Sequence, residues 1–352
     1  MTEPIRVLST RELNRALLAR QLLLERSNLP VTRALDQVAG LQAQYAPSGY
    51  VSLWSRLQDF RRDALTRALE KRRAVQATLM RATIHLVSAR DFPLFAAAIR
   101  NGRREWWLRV QRNALEGIDM QAVAARVREH LSDGPLRASE LQALLAADGY
   151  PRIAAVSAGM WLDIVRVPPS GTWDSRRADL YGLADDWLGP SNATEADGLK
   201  HLVRRYLGGF GPASFGDVVS WTGLSPTALR PVVDRLRLRR FRDEQGGELL
   251  DLPRAPLPDP DTPAPVRFLP TWDATLLVHA RRTQILPEPF RPRVFNTKTP
   301  HSVSTFLVDG AVAGTWWGEK GRVRLEPFGR LPAVARGELE EEAERLAEFH
   351  AD

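Results

Sequence analysis

Apolar residues at helical spacing open the chain. Three leucines follow residues 9–12, a Ser-x-x-Glu capping box that predicts the start of a helix. A second helix is predicted over about residues 33–44, ending before Pro47. Residues 75–87, VQATLMRATIHLV, have the β-rich character of a strand pair. The first part of the chain therefore predicts helices followed by a short hairpin.

The same order of elements is predicted twice more. Residues 120–146 resemble two helices separated by a Gly-Pro turn, and residues 152–167 predict a third helix that runs into a strand. Residues 195–241 repeat the helices and end in a strand. Helix-turn-helix followed by a β wing is the winged-helix plan. The predicted fold is α+β, mainly α, with three tandem winged-helix modules at residues 1–115, 116–192 and 193–255 and a β-rich segment with an acidic helix at 256–352.

The last segment begins with a proline-rich run at residues 252–266, which predicts a linker or an extended strap. Alternating apolar residues beyond it predict strands, and Asp309-Gly310 predicts a tight hairpin between two of them. Residues 337–350, GELEEEAERLAEFH, predict an acidic amphipathic helix that caps the fold from the solvent side.

Composition narrows the class of partner. The 352 residues are 44% hydrophobic and 26% charged, as in a soluble globular protein of two or three domains. The formal net charge is +7, which makes polyanions the first partners to test. Only four of the 49 basic residues are lysine. Coding bias toward arginine can explain that preference, but it does not explain the excess of positive charge.

Several kinds of chemistry are excluded or disfavoured. Cysteine is absent, so disulfides, thiolate zinc sites, iron–sulfur clusters and cysteine nucleophiles are excluded. The six histidines form no tight pair or HExxH pattern, so neither a metal nor a cofactor is expected. The N-terminus lacks the pattern of a secretory signal, and no run of about 18 apolar residues is present. We expect a monomer in the cytoplasm, associated with the nucleoid.

Basic residues form three clusters on predicted helix ends, wings or loops, where phosphate contacts are usually made. On a strand, the alternation RLRLRRF would place Arg235, Arg237 and Arg239 on one face. A solvated charged face is the alternative for each cluster taken alone. The clusters are Arg61, Arg62, Arg67, Lys71, Arg72 and Arg73; Arg235, Arg237, Arg239, Arg240 and Arg242; and Arg281, Arg282, Arg291 and Arg293.

Two glutamines flank one alanine in the segment VAGLQAQYAPSGY, residues 38–50. On a regular helix, Gln42 and Gln44 would point about 200° apart. If they act together, Ala43 must turn inward and the helix must end or distort there. Taken alone, the two amides are more simply explained as packing residues at a helix end, with local hydrogen bonds.

Six blocks spread over most of the chain resemble the AlkZ-type winged-helix DNA glycosylases of actinomycetes. They are LNRALLARQLLL, GLQAQYAPSGYVSLWSRL, LMRATIHLVSARDF, GGFGPASFGDVVSWTGL, LPTWDATLLVHARR and FLVDGAVAGTWW. The resemblance implies a C-shaped protein of three winged helices whose basic channel holds duplex DNA. It also implies hydrolysis of the N-glycosidic bond of N7-alkylated purines.

The resemblance further implies a catalytic Gln-hydrophobic-Gln motif, which Gln42-Ala43-Gln44 matches residue for residue. A sister branch of the family has an acidic residue at the second position, and this sequence does not. The match favours bulky or interstrand-crosslinked lesions, and either DNA repair or self-resistance to a genotoxic natural product. The alternative is a non-catalytic winged-helix DNA-binding protein or transcriptional regulator.

The chemistry of the residues is compatible with that role. A neutral amide cannot act as a general base, but its carbonyl can orient a water molecule and its dipole can support an oxocarbenium-like sugar. No lysine lies beside the motif, so imine chemistry has no obvious nucleophile and a monofunctional enzyme is predicted. Asp273 is a candidate for catalytic support or a helix N-cap, and His85 is a candidate for support or a structural histidine. Arg81 predicts either a phosphate contact or an intramolecular ion pair.

Overall fold

The capping box at residues 9–12 is confirmed in the computed structural model, which describes residues 5–277, 283–296 and 301–351. The helices are α1 (Thr10–Arg20), α2 (Val31–Gln37), α3 (Ala46–Arg56), α4 (Arg62–Glu70), α5 (Phe92–Val110), α6 (Met120–Ser132), α7 (Ala138–Ala147), α8 (Arg152–Ser157), α9 (Ala184–Leu188), α10 (Glu195–Phe210), α11 (Phe215–Thr222), α12 (Pro226–Arg235), α13 (Arg291–Val294) and α14 (Ala333–Ala351). Within the described ranges, none of these helices has the length and apolar character needed to cross a bilayer.

The strands are short. They are β1 (Val7–Leu8), β2 (Leu41–Gln42), β3 (Ala74–Thr78), β4 (Ile84–Ser88), β5 (Leu136–Arg137), β6 (Ile164–Arg166), β7 (Leu180–Leu183), β8 (Arg239–Asp243), β9 (Glu248–Asp251), β10 (Arg267–Leu269), β11 (Phe295–Asn296), β12 (His301–Ser302), β13 (Thr305–Val308), β14 (Ala311–Glu319) and β15 (Arg322–Pro327). The predicted strand pair at residues 75–87 is confirmed as β3 and β4, which are antiparallel.

Helix α2 is shorter than predicted, because it ends at Gln37 and not near Gln44. Ala39 and Gly40 have φ angles of 61° and 79°, which a right-handed helix does not allow. A side chain on Gly40 would also collide with Val87, because a Cβ there would lie 2.8 Å from Val87 Cγ1. The chain therefore leaves the helix at this point and continues as β2.

The strand pairs of the first two predicted modules join in one six-stranded sheet, in the order β2-β4-β3-β6-β7-β5. Strand β3 pairs with β6 through Gln76 opposite Arg166 and Ala77 opposite Val165. Each of the three predicted modules contains three or more helices followed by an antiparallel strand pair. The winged-helix assignment and the module boundaries stay predictions, and the shared sheet ties the first two modules together.

One hydrophobic core extends through all four predicted segments. It includes Leu17, Val165, Leu202 and Val312, one from each segment. Helix α10 packs closely along α5, and β1 pairs with β8 in parallel. The third strand pair, β8 and β9, thus forms a separate sheet with the start of the chain.

The proline-rich run lies along α1. Arg11, Arg15 and Arg20 on that helix donate hydrogen bonds to the carbonyl oxygens of Pro260, Thr262 and Pro256 at 2.7–2.9 Å. The Arg20 guanidinium also holds both carboxylate oxygens of buried Asp251, at 2.7 and 2.9 Å. The run is therefore fixed as a strap by arginines of the first helix.

The remaining strands form a four-stranded sheet, β10-β13-β14-β15. The predicted hairpin at Asp309-Gly310 is confirmed, since both residues have positive φ between β13 and β14. The solvated position predicted for the last helix is wrong for one of its faces. Leu339, Leu346 and Phe349 of α14 are buried, because this face covers a core that includes Trp54 and Trp173.

Candidate active site

Gln42 lies on β2, whereas Gln44 lies two residues further, at the bend between β2 and α3. Gln42 on β2 faces His85 on β4, and the Ala43 N–H donates to the Ile84 carbonyl at 2.8 Å. The spacing of Gln42 and Gln44 therefore belongs to a strand end and the bend that follows it, and not to a distorted helix. Ala43 is buried as predicted, Gln42 is 6% exposed, and Gln44 is exposed.

Gln44 ends the pairing of β2 with β4. Its Oε1 accepts a hydrogen bond of 2.8 Å from the Ile84 backbone N–H. In a regular antiparallel pair, a backbone carbonyl of the neighbouring strand would accept from that N–H. A backbone N–H can only donate, so the amide of Gln44 has its oxygen toward the sheet and its NH₂ group turned away.

The amide of Gln42 also has its oxygen anchored, but by a different group. Its Oε1 accepts a hydrogen bond of 2.9 Å from Arg81 Nη2, while Arg81 Nη1 donates to the Trp221 carbonyl at 2.6 Å. The sequence predicts a phosphate contact or an intramolecular ion pair for Arg81, and both of these hydrogen bonds are intramolecular contacts with neutral oxygens. The geometry favours an intramolecular role in which Arg81 orients Gln42.

His85, which pairs with Gln42 across the two strands, is buried, with 3% of its surface exposed. Burial and then the neighbouring Arg81 charge lower its pKa to about 3, although the hydrogen bond to the Thr83 carbonyl acts in the opposite direction. The ring Nδ1 lies 3.0 Å from that carbonyl oxygen and must donate to it. A neutral, enclosed imidazole of such low basicity favours the structural alternative for His85.

Asp273 is enclosed in a buried ion pair. Arg56 donates to both of its carboxylate oxygens, at 2.9 and 3.0 Å, and Ser52 and Thr275 donate to it as well. Burial alone would raise the pKa of Asp273, but the Arg56 charge and these hydrogen bonds lower it. Asp273 also caps the short helix at Ala274–Leu276. The geometry favours the N-cap alternative over catalytic support.

A group of aromatic and basic side chains begins directly after the motif. Tyr45 is 43% exposed, and its hydroxyl accepts a hydrogen bond of 2.9 Å from Arg176 Nη1. The Arg176 guanidinium also lies 5.9 Å from the Trp173 ring, and the Arg62 guanidinium lies 4.7 Å from the same ring. We call Tyr45, Arg62, Trp173 and Arg176 the Tyr45 surface. Sequence reasoning included Arg62 but missed Tyr45 and Arg176.

The arginines of the third predicted wing do not share one strand face. Arg235 is the last residue of α12, because Leu229, Val233 and Leu236 continue its apolar face, and β8 begins only at Arg239. The predicted common face of Arg235, Arg237 and Arg239 is therefore wrong. Arg237 is exposed, the Arg239 guanidinium lies over the Phe241 ring, and Arg240 pairs with Glu248. Arg239 and Arg240 lie on a different sheet from Gln42.

The other basic candidates are dispersed. Arg61 is exposed at the start of α4, and Lys71 is exposed after its end. Arg72 lies over the Trp187 ring. Arg291 belongs to α13, and Arg293 pairs with Glu326 at 2.8 Å. Arg281, Arg282 and His279 lie outside the described residues. In the part of the chain that the structure describes, no group of three or more acidic or histidine side chains is arranged to hold a metal ion.

The comparisons identify the class of protein. A family model described as DNA glycosylase AlkZ-like matches residues 35–349, which include the glutamine pair and Arg81. The chain belongs to this AlkZ-like family and is a DNA glycosylase, so DNA is its partner and a non-catalytic regulator is set aside. The solved structure of Streptomyces sahachiroi DNA glycosylase AlkZ matches with a TM-score of 0.81 at 18% identity, over 98% of this chain and 97% of that chain. At that identity the match shows the fold alone. The search of curated proteins finds no match.

Proposed function

We propose that this DNA glycosylase hydrolyses the N-glycosidic bond of N7-alkylated purines in duplex DNA, with Gln42 and Gln44 as the catalytic pair. One observation carries the proposal: both amides have an anchored carbonyl oxygen at the end of β2, and neither candidate ionisable residue is free to act as a strong base. His85 has a pKa of about 3, and Asp273 is enclosed with Arg56.

A site without a strong acid or base suits a substrate whose leaving group is already activated. Alkylation at N7 places a positive charge on the purine, which weakens its bond to C1′. Hydrolysis then requires a positioned water molecule and support for an oxocarbenium-like sugar. An amide oxygen has two lone pairs, so the second one on Gln42 or Gln44 remains able to accept a hydrogen bond from that water. Two amides on one segment hold the water more firmly than one.

Bulky adducts and interstrand crosslinks are included among the proposed substrates. A guanine joined to the opposite strand cannot rotate about 180° into a pocket, as ordinary base-processing enzymes require. Gln44 is exposed on the surface and not enclosed in a cavity. Amides that meet an unflipped lesion in a basic channel suit such a substrate, and a complex with the lesion fully extruded would contradict this part.

The wider proposal is a monofunctional, monomeric enzyme of three winged helices in a C-shaped arrangement, acting on chromosomal DNA in repair or in self-resistance to a genotoxic natural product. The recurrence of helices followed by a strand pair supports the modular part. Arg61, Arg62, Lys71, Arg72, Arg237, Arg239, Arg240, Arg291 and Arg293 are proposed to contact phosphates, together with Arg281 and Arg282.

The test is base release from defined lesions. Purified protein is incubated with duplexes that carry N7-methylguanine, a bulky N7 adduct or an N7–N7 interstrand crosslink, and the free base and the abasic site are measured against spontaneous loss. We expect release by the wild type, without strand cleavage. Release no faster than the spontaneous rate from all three duplexes would reject the substrate class.

The catalytic pair is tested in the same assay. Gln42→Ala and Gln44→Ala should each slow release at saturating protein by about 10²-fold, because each removes an oriented amide, while affinity for DNA stays similar. Gln58→Ala is the matched control, since Gln58 is also exposed but lies at the end of α3, outside the motif. Full activity in both motif variants would remove the pair from the mechanism.

A further inference from the structure

Arg81 connects the glutamine motif with a distant helix. It lies in the turn between β3 and β4 and has a φ of 55°, an uncommon conformation for a residue with a side chain. One terminal nitrogen donates to Gln42 Oε1 and the other donates to the carbonyl of Trp221 on α11. Gly223, which caps α11, packs so closely that a Cβ there would lie 3.2 Å from the Arg81 backbone nitrogen. Both the backbone and the guanidinium of Arg81 are therefore positioned by the end of α11.

This contact fixes the orientation of the Gln42 amide. The two ends of an amide have nearly the same shape, so packing alone does not distinguish them. A guanidinium carries only donors, so the amide must turn its oxygen toward Arg81 and its NH₂ group away. The positive charge beside the carbonyl also polarises the amide. The amides of Gln42 and Gln44 are thus oriented alike, because the oxygen of each one accepts a hydrogen bond from the protein.

We infer that Arg81 is a positioning residue for Gln42, which holds the catalytic amide in one orientation from the end of α11. The inference rests on the proposed role of the glutamine pair. It differs from the phosphate contact that the sequence permitted, because a phosphate contact acts on the affinity for DNA, whereas a positioning residue acts on the rate of bound DNA.

The experiment is a double-mutant cycle of Arg81→Met and Gln42→Ala, with base release from N7-methylguanine duplex measured at saturating protein. We expect Arg81→Met to slow release by about as much as Gln42→Ala, about 10²-fold, and to add less than about threefold in the Gln42→Ala background. Arg81→Lys, which keeps a donor but cannot reach both oxygens in the same way, should recover part of the rate. Affinity for undamaged duplex should stay within about twofold in all variants.

Arg104→Met is the matched control. Arg104 also donates to two backbone carbonyls, those of Met160 and Trp161, but it contacts neither glutamine. It should leave the rate unchanged. Three results would overturn the inference: effects of Arg81→Met and Gln42→Ala that multiply, an unchanged rate in Arg81→Met, or a loss of DNA affinity that accounts for the slower release.

A readout without catalysis separates this inference from the proposed function. In protein labelled with ¹⁵N at glutamine side chains, the Gln42 amide signal, assigned with Gln42→Ala, should shift or broaden in Arg81→Met and stay unchanged in Arg104→Met. If that signal stays unchanged in Arg81→Met, the inference is wrong whether or not the wild type releases base. If it changes while the wild type releases no base, the positioning is supported and the substrate proposal alone fails.

Discussion

His85 is an ionisable residue next to the glutamine motif that stays neutral. The ring is buried on the strand beside Gln42, and its pKa of about 3 keeps it neutral at ordinary pH. A charged imidazolium there would lie near the Arg81 guanidinium, and it would also oppose a cationic purine in the proposed reaction. The neutral ring instead donates to the Thr83 carbonyl and supports the turn that carries Arg81.

The low pKa of His85 predicts a measurable dependence of stability on pH. An unfolded histidine takes up a proton near pH 6.5, whereas the folded one resists protonation until about pH 3. The unfolded state therefore binds more protons between these values, so the free energy of unfolding falls as pH decreases from 6.5 toward 3, by at most about 1.4 kcal/mol per pH unit. Urea unfolding at pH 7, 6 and 5 measures this slope.

His85→Asn is the variant for comparison, because asparagine keeps a donor near the Thr83 carbonyl and does not titrate. We expect its free energy of unfolding to fall less steeply than that of the wild type below pH 6.5, since the other titrating groups are shared. Equal slopes in the two proteins would show that His85 does not carry this pH dependence.

At the scale of elements, the packing of α10 against α5 depends on the absence of a side chain. Gly198 lies near the start of α10, and a Cβ there would be 2.4 Å from the Leu94 carbonyl oxygen and 2.7 Å from the Ala98 nitrogen. Both atoms belong to the α5 backbone, so no change of rotamer can relieve the contact. These two helices join the first and third predicted modules.

Gly198→Ala should therefore destabilise the protein by about 3 kcal/mol, because the two helices must move apart. The matched control is Gly208→Ala in the same helix, where a Cβ would have only an ordinary contact of 3.6 Å with Leu252. That variant should be neutral or more stable by about 0.5–1 kcal/mol, since alanine favours the helix. Thermal and urea unfolding measure both, and similar stability of the two variants would contradict the close packing.

The elements that could be predicted are those set by local chemistry. The capping box after Ser9 and the Asp309-Gly310 hairpin depend on a few neighbouring residues. The position of Gln42 depends on β4, which passes 43 residues later in the chain, and this tertiary pairing ends α2 before the apolar pattern does. The contact of Arg81 with Gln42 is also non-local, so the sequence indicated both residues but not that they touch.

The arginines of α12 and β8 illustrate the opposite difficulty. The segment RLRLRRF alternates as a strand does, but Leu236 also continues the helical spacing of α12. The helix prevailed because its apolar face packs on the main core, and the strand began four residues after Arg235. The same residues fit both the two-residue repeat of a strand and the 3.6-residue repeat of a helix, and only packing decides between them.

At the scale of the whole molecule, the arginines differ in whether a carboxylate already neutralises their charge. Arg20, Arg26 and Arg56 are engaged with buried carboxylates, and several surface arginines also pair with acids. On the Tyr45 surface, by contrast, Arg62 and Arg176 lie against aromatic rings and form no ion pair with any carboxylate of the described residues. Arg176 contacts Tyr45, the residue after Gln44, where the proposed lesion would be bound, and we expect both charges to be available to phosphates there.

The charges of Arg62 and Arg176, which pair with no described carboxylate, predict that these two arginines contact DNA phosphates and so displace counterions from the DNA. Arg62→Ala and Arg176→Ala should each weaken binding to any duplex sequence and reduce the slope of log K against log salt by about 0.9, because each removes one phosphate contact. Fluorescence anisotropy with a short undamaged duplex, between about 50 and 200 mM salt, measures the slope. The double variant should lose about twice as much, since the two contacts are with different phosphates.

Arg126→Ala is the control, because the Arg126 guanidinium already forms ion pairs with Glu129 on α6 and with Asp148 at the end of α7. It should leave the slope unchanged. Since Arg62 and Arg176 also pack on Trp173, each variant is first shown to unfold at a similar temperature to the wild type. Folded Arg62→Ala and Arg176→Ala proteins with the wild-type slope would place the DNA on another face, away from Tyr45, and the glutamine pair would then lack a route to the lesion.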